Sequence, residues 1–387
     1  MSSQTILLGG NRCRMTLVNP SAFIAGLLVP GPPGGQRRFA RLTRPAAAAV
    51  LVILAALVAL GFIFPAPQLS TPHGPAAGVH APQSINVPLY SGIIARVRAG
   101  APYETAAVTA QRAGGFPLRP FVTVRPPALA EMMAALPDLA SANLVMRLLA
   151  IAVVGAWTVR LWPAGRGPVW LAWSPVMVFT GVAWAIPGLT FGLFHECWAG
   201  LLIALSLALR SEKRFVAAVV VGLLAAVIRE LAMPYLLVMA GLALAERRRG
   251  EAVAFAGALA VGLALLGLHA ATVLSLTTPH DLASPGWVKL GGWPFVMATA
   301  QWNLLALLLG KTAAAVIVPL ALAGALARSD GVGLRLAALL IGYTAGFMVI
   351  GQPNDFGWGF VVAPLIGVGL ALAPLALADL VSRFRSS

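Results

Sequence analysis

Long apolar runs alternate with short polar breaks along most of this chain. The first run is Ala46–Phe64, closed by Pro65. A polar, proline-rich stretch follows from Ala66 to Asp138. Apolar runs then recur at Leu139–Leu161, Val169–Ile186, Leu193–Leu209, Phe215–Arg229, Met233–Ala245, Ala252–Leu276, Asn303–Ala327, Leu334–Ile350 and Trp358–Leu380, with a half-helix expected at Gly292–Trp302. Runs near 20 residues match a bilayer core of ~30 Å. The pattern predicts an all-α integral membrane protein of about ten transmembrane helices, with residues 66–138 as one large first extracytoplasmic loop. Residues 46–387 then form a single membrane domain behind a basic cytoplasmic tail, 1–45.

Two runs fall short of a full crossing. Phe215–Arg229 and Met233–Ala245 reach only ~20–23 Å at ~1.5 Å per residue. Their connection, Arg229-Glu230-Leu-Ala-Met-Pro234, should therefore lie below the outer surface. Charges at that depth cost ~2.5–3.5 kcal/mol each unless they meet water, a partner or a ligand, so the short pair implies a cavity open to the outside. Within the long loop the spacing predicts short helices near Leu89–Ala99, Tyr103–Ala113 and Ala128–Leu136. Prolines and β-branched residues should keep Phe116–Pro127 extended.

Composition sharpens this picture. Of 387 residues, 59% are hydrophobic and 10% are charged, against about 25% charged in soluble domains. The formal charge of +15 resembles that of a nucleic-acid binder, yet membrane proteins collect Arg and Lys in cytoplasmic loops. With the N-terminus inside, eighteen of the 27 Lys and Arg residues fall on the inner side and seven outside, Arg147 and Lys311 lying within spans. Five of those seven sit in the long loop, which translocates largely regardless of charge. Both termini are thus expected in the cytoplasm and nucleic acid is not an expected partner. Cys13 and Cys197 are the only cysteines, too few for a disulfide framework or a CxxC site.

The outer side gathers the candidate chemistry. Glu196 stands where one span begins, Glu230 in the short connection, and Asp355 between the last two spans. Each is a candidate base. Arg119, Arg125, Arg229 and Lys311 are candidate phosphate ligands, with Arg125 preferred over Arg119 because Pro126 and Pro127 stiffen the chain beside it. Plainer roles compete: Glu196 as a helix N-terminal charge, Arg229 and Glu230 as a hairpin cap, Lys311 snorkelling to the interface, and the loop arginines on lipid headgroups. His195 lacks a second histidine at ligand spacing, so the residues themselves call for no metal.

The chain resembles bacterial membrane glycosyltransferases of the GT-C type, which use polyprenyl-phosphate sugars. The likeness is of layout: one span, a large first loop with interfacial helices, then many spans. Locally it rests on Leu118-Arg-Pro-Phe-Val-Thr-Val-Arg-Pro-Pro127, Ile228-Arg-Glu-Leu-Ala-Met-Pro-Tyr235 and Asn354-Asp-Phe-Gly-Trp-Gly359. The resemblance implies an inner-membrane enzyme that moves a sugar from a polyprenyl phosphate to an extracytoplasmic acceptor, and it allows a divalent metal as cofactor. One departure is visible. The family's acid early in the first loop has no counterpart between Gln68 and Pro102, where Asn86 takes an equivalent position. Two alternatives follow: a catalytically inactive relative that binds lipid-linked sugar or scaffolds an assembly, and a transporter or flippase, against which the absence of an obvious internal repeat counts.

Overall fold

The computed structural model describes residues 37–66, 86–161, 168–186 and 190–385. The regular elements among these are helices, and backbone pairing between strands is confined to three isolated bridges. The α-helices are α1 (Arg44–Ile63), α2 (Asn86–Arg98), α3 (Tyr103–Ala113), α4 (Ala128–Ala135), α5 (Leu139–Leu161), α6 (Pro168–Thr180), α7 (His195–Leu209), α8 (Val216–Ile228), α9 (Met233–Ala245), α10 (Arg249–Leu276), α11 (Gly292–Thr299), α12 (Leu304–Leu309), α13 (Ala314–Ala327), α14 (Gly331–Val349) and α15 (Ala363–Arg385). Five of them, α1, α5, α10, α14 and α15, are long and apolar enough to cross a membrane. The chain is therefore a multi-pass membrane protein. Shorter apolar helices α7, α8, α9 and α13 pack among them.

Burial sorts these helices into centre and rim. In α15, 72% of the most apolar window is buried, against 11% in α1 and 17% in α10. Val52, Ile53 and Phe62 of α1 and Val253 and Leu268 of α10 point outward, which lipid tolerates and water does not. At the centre, α13 and α15 meet backbone to backbone. A Cβ on Gly324 would come 2.0 Å from the Gly369 carbonyl oxygen, and one on Gly369 would come 2.4 Å from that of Ala321.

Several expected spans are interrupted. Asn303–Ala327 is not one helix. Asn303 caps α12 by accepting from the Leu305 N–H at 3.0 Å. Gly310, at φ +89°, ends α12, a conformation that glycine adopts without a Cβ clash. The chain then turns through Lys311–Ala313 before α13 begins. The run expected to Ile186 stops at Thr180, where Gly181 lies so close to the Ala363 carbonyl that a Cβ would come within 2.3 Å. The last helix starts at Ala363 rather than Trp358. Before it, Asp355–Val361 winds as a 3-10 stretch, with Gly359 pressed on the Thr299 backbone.

The long loop carries the three expected helices, α2, α3 and α4, and they enclose a small core of their own. Ile93, Tyr103, Ala107, Val108, Leu118 and Val124 pack there against Val273 of α10. Residues 116–126 are extended apart from one 3-10 turn, Phe121–Thr123, and Pro127 already has helical angles ahead of α4. Arg98, exposed at the end of α2, caps α4: it donates to the carbonyls of Met133, Ala134 and Leu136. Charge collects at a second place as well. Buried Arg210 and Arg335 pair with buried Glu251 and half-buried Glu246, and near them Arg328 pairs with Asp330. Most of the expected basic tail, residues 1–36, lies outside the described residues.

Candidate functional site

Arg125 is fixed by its own backbone before its side chain does anything. The Tyr103 hydroxyl donates to the Arg125 carbonyl at 2.7 Å. One residue earlier, the Val124 carbonyl meets His269 Nε2 at 3.0 Å, while His269 Nδ1 faces Glu104 at 3.1 Å. Gln111 Nε2 donates to the Thr123 carbonyl at 3.2 Å. Three consecutive carbonyls, from the end of the 3-10 turn into the extended segment after it, are thus tied down by α3 and α10. An extended segment has no internal hydrogen bonds, so its buried carbonyls must find partners elsewhere.

The guanidinium then reaches a charged cluster. Arg125 Nη2 stands 3.7 Å from Glu196 Oε1, and Arg229 Nε stands 2.8 Å from the same oxygen. Arg229 also holds the Glu230 carboxylate. Its Nε–H is poorly aligned for a hydrogen bond, so its grip on Glu196 is mainly one of charge. Burial opposes the charge on Arg125, but Tyr90, Glu196 and Glu230 outweigh it and push the pKa of Arg125 up. Arg229 is 1% exposed, at the C-terminus of α8, in the connection whose shortness predicted a buried charge.

Beside this cluster opens a cavity of 720 Å³, inside the ~300–1,000 Å³ typical of small-molecule sites. Arg125, Glu196 and Asp355 line it together with Tyr90, Trp287 and Trp302. Asp355 forms no ion pair among the described residues. Its Oδ2 accepts from the Gln352 N–H at 2.9 Å. Burial pushes its carboxyl above the ordinary range, against the opposing pull of that N–H and of Arg125 and Arg229.

The roof consists of two strands of chain from different loops. Leu118 and Arg119 donate backbone N–H groups to the Leu282 carbonyl, and Ser284 donates to that of Arg119. Arg112 fastens the roof through a two-pronged pair with Asp281, at 2.7 and 2.8 Å. Arg119 belongs to this fastening, its Nε donating to the Asp281 carbonyl at 3.0 Å.

The sequence-derived candidates therefore separate. Glu196, Glu230, Arg125 and Arg229 come together, and Asp355 joins Arg125 and Glu196 on the cavity wall. Arg119 sits in the roof instead. The Lys311 and Asn86 side chains lie outside what the structure describes. His269, Tyr103, Gln111 and Tyr90 were not singled out in the sequence. Only His269 carried a signal, as an ionisable residue within an otherwise apolar run. No three of His, Cys, Asp and Glu converge among the described residues, and Glu196 already faces two arginines. These residues do not fit the divalent metal that the resemblance allows.

No family model matches this chain, nor does any curated protein or solved structure.

Proposed function

We propose that this protein is a glycosyltransferase of the bacterial inner membrane that moves a sugar from a polyprenyl-phosphate donor to an acceptor on the extracytoplasmic side. The observation that carries the reading is the 720 Å³ cavity where Arg125 faces Glu196 and Asp355. A polyprenyl phosphate is a good leaving group and requires no general acid. The acceptor hydroxyl would lose its proton to one carboxylate and form the new bond to the anomeric carbon. The bond from that carbon to the phosphate oxygen would break, its electron pair leaving with the lipid phosphate. Arg125 is aimed to stabilise the charge that grows there.

Among the candidate bases, geometry favours Asp355. Glu196 is already engaged by Arg229 and Arg125. Its role in this reading is to position Arg125. Burial leaves Asp355 more basic than a surface carboxylate, and a base of raised pKa accepts a proton more readily. The reading also takes the chain to cross the membrane about ten times with both ends cytoplasmic. The two charged regions support it: Arg125, Arg229 and Arg112 gather about the cavity, whereas Arg210, Arg328 and Arg335, assigned to the inner side, gather in the other.

Binding of lipid-linked sugar without transfer is the second reading, favoured by the pairing of Glu196 with two arginines. Sugar transfer from a polyprenyl-phosphate donor separates the two. Asp355→Asn should lower turnover by about 10²–10⁴-fold, the range for a general base, with donor affinity nearly unchanged. The wild-type rate should fall on the acid side of a pKa above the usual carboxylate range, since the base must be ionised, and this limb should vanish in the variant. Donor binding with no turnover in the wild type would sink the enzymatic reading and leave the second.

A further inference from the structure

Another part of the cavity wall is built differently. It comes from the segments 282–287 and 352–360 together with Trp302, and its polar side chains next to Asp355 are uncharged. Gly351 donates to the Trp287 carbonyl at 2.7 Å. Gln352 Nε2 donates to Ser284 Oγ at 3.2 Å and to the Gly286 carbonyl at 3.0 Å. These bonds hold the wall rigid and leave Gln352 Oε1 as a spare acceptor. Asn354 makes no side-chain hydrogen bond to another described residue, so its amide offers both donors and an acceptor. Trp287 and Trp302 are half-buried on this wall. Trp302 is packed on Phe356 and Phe360, whereas the Trp287 indole has no aromatic partner among the described residues.

An indole face beside unpaired amides suits one class of ligand well. A pyranose ring presents a C–H face that lies on an aromatic surface. Its hydroxyls each donate and accept, as an amide requires. An anionic polymer would need cations, and Arg125, the cation lining this cavity, already faces Glu196. A peptide backbone would need a free strand edge, and the bridge of Val288 to Ile350 occupies the edge nearest by.

We infer that the acceptor is a neutral glycan whose terminal sugar stacks on Trp287 and bonds to Asn354 and Gln352. The inference rests on the proposed function for its word acceptor, because Asn354 adjoins Asp355 in the chain and a hydroxyl held there is presented to that carboxylate. The binding surface itself needs no donor.

Saturation-transfer difference NMR on the full-length protein in nanodiscs tests it, with three probes and no donor present: a neutral manno- or gluco-oligosaccharide, an oligogalacturonate, and a Ser/Thr-rich peptide. The neutral sugar should give transfer; the acidic sugar and the peptide should not. Asn354→Ala should weaken its binding about five- to tenfold, the worth of one or two neutral hydrogen bonds. Trp287→Ala should weaken it at least as much, and Trp287→Phe, which keeps an aromatic face, should restore part of the loss. Size-exclusion profiles and melting temperatures report whether each variant is folded. Preference for the acidic sugar or the peptide, or glycan binding indifferent to both Trp287 and Asn354 in folded variants, would overturn the inference. Polyprenyl-phosphate binding is measured separately. Its loss would count against the proposed function and not against the glycan surface.

Discussion

Two arginines lie against one carboxylate, and their surroundings give them different work. Arg229 is sealed from water between Glu196 and Glu230, whereas Arg125 keeps one side to the cavity. Removing one partner of a buried ion pair strands the other and costs about 3–5 kcal/mol. Arg229→Ala should therefore lower the melting temperature sharply, while Arg125→Ala should cost much less stability. In the reading proposed here Arg125→Ala should instead weaken donor binding roughly ten- to a hundredfold, since a charged hydrogen bond contributes ~1.5–3 kcal/mol. Lysine at 125 should rescue only part of this, because it lacks the planar fork. Paired measurement of melting temperature and donor affinity checks both halves. Equal loss of stability in the two alanine variants would show that Arg125 is structural as well. The sequence offered these two arginines on equal terms, because exposure to a cavity is not a property of the residue.

At the scale of elements, one carboxylate adds an ion pair to the backbone bonds that hold the roof. The Arg112 side chain holds the Asp281 carboxyl well below the usual carboxylate range, helped by the Thr278 N–H. A carboxylate with a depressed folded pKa contributes stability above its unfolded pKa, and loses it as pH falls through the folded value. The roof should hence stay docked through mildly acidic pH and loosen only under strong acid, with Asp281→Asn loosening it at neutral pH. Hydrogen exchange across residues 277–291 reads this directly, and unchanged protection in the variant would show that the backbone bonds suffice. The helix pair α13 and α15 makes a contrasting case. Gly324→Ala would drive a Cβ to 2.0 Å from the Gly369 carbonyl. Overpacking of this kind costs about 1–3 kcal/mol, so the melting temperature should drop, and an unchanged value would mean that the helices part at little cost.

For the whole molecule, the proposed topology fixes which loops meet which compartment. After replacement of Cys13 and Cys197, single cysteines near Ala110 and Ser284 should react with an impermeant thiol reagent from outside. Those near Ser211 and Ser329 should not. External labelling at Ser211 would break the arrangement, since Arg210 belongs to the buried charge cluster assigned to the inner side.

Hydropathy alone marked the long helices, because lipid demands a run of apolar residues whatever the neighbours are. Glycine and proline punctuation marked the loop helices α2, α3 and α4. The lengths of the runs Phe215–Arg229 and Met233–Ala245, ~20–23 Å as helix, also marked the α8–α9 connection as a place for buried charge, and the helices that form there have 13 residues each. Breaks at Gly181, Gly310 and Val361 depended on tertiary contact. Gly310 is as compatible with a continuous helix as Gly324 until packing selects its conformation. The division of labour among Glu196, Glu230 and Asp355 was likewise undecided in the sequence, where all three are outer-side acids. Burial and the nearest cation set a carboxylate's basicity, and both arise only when α7, α8 and the Asp355 segment meet beneath the roof.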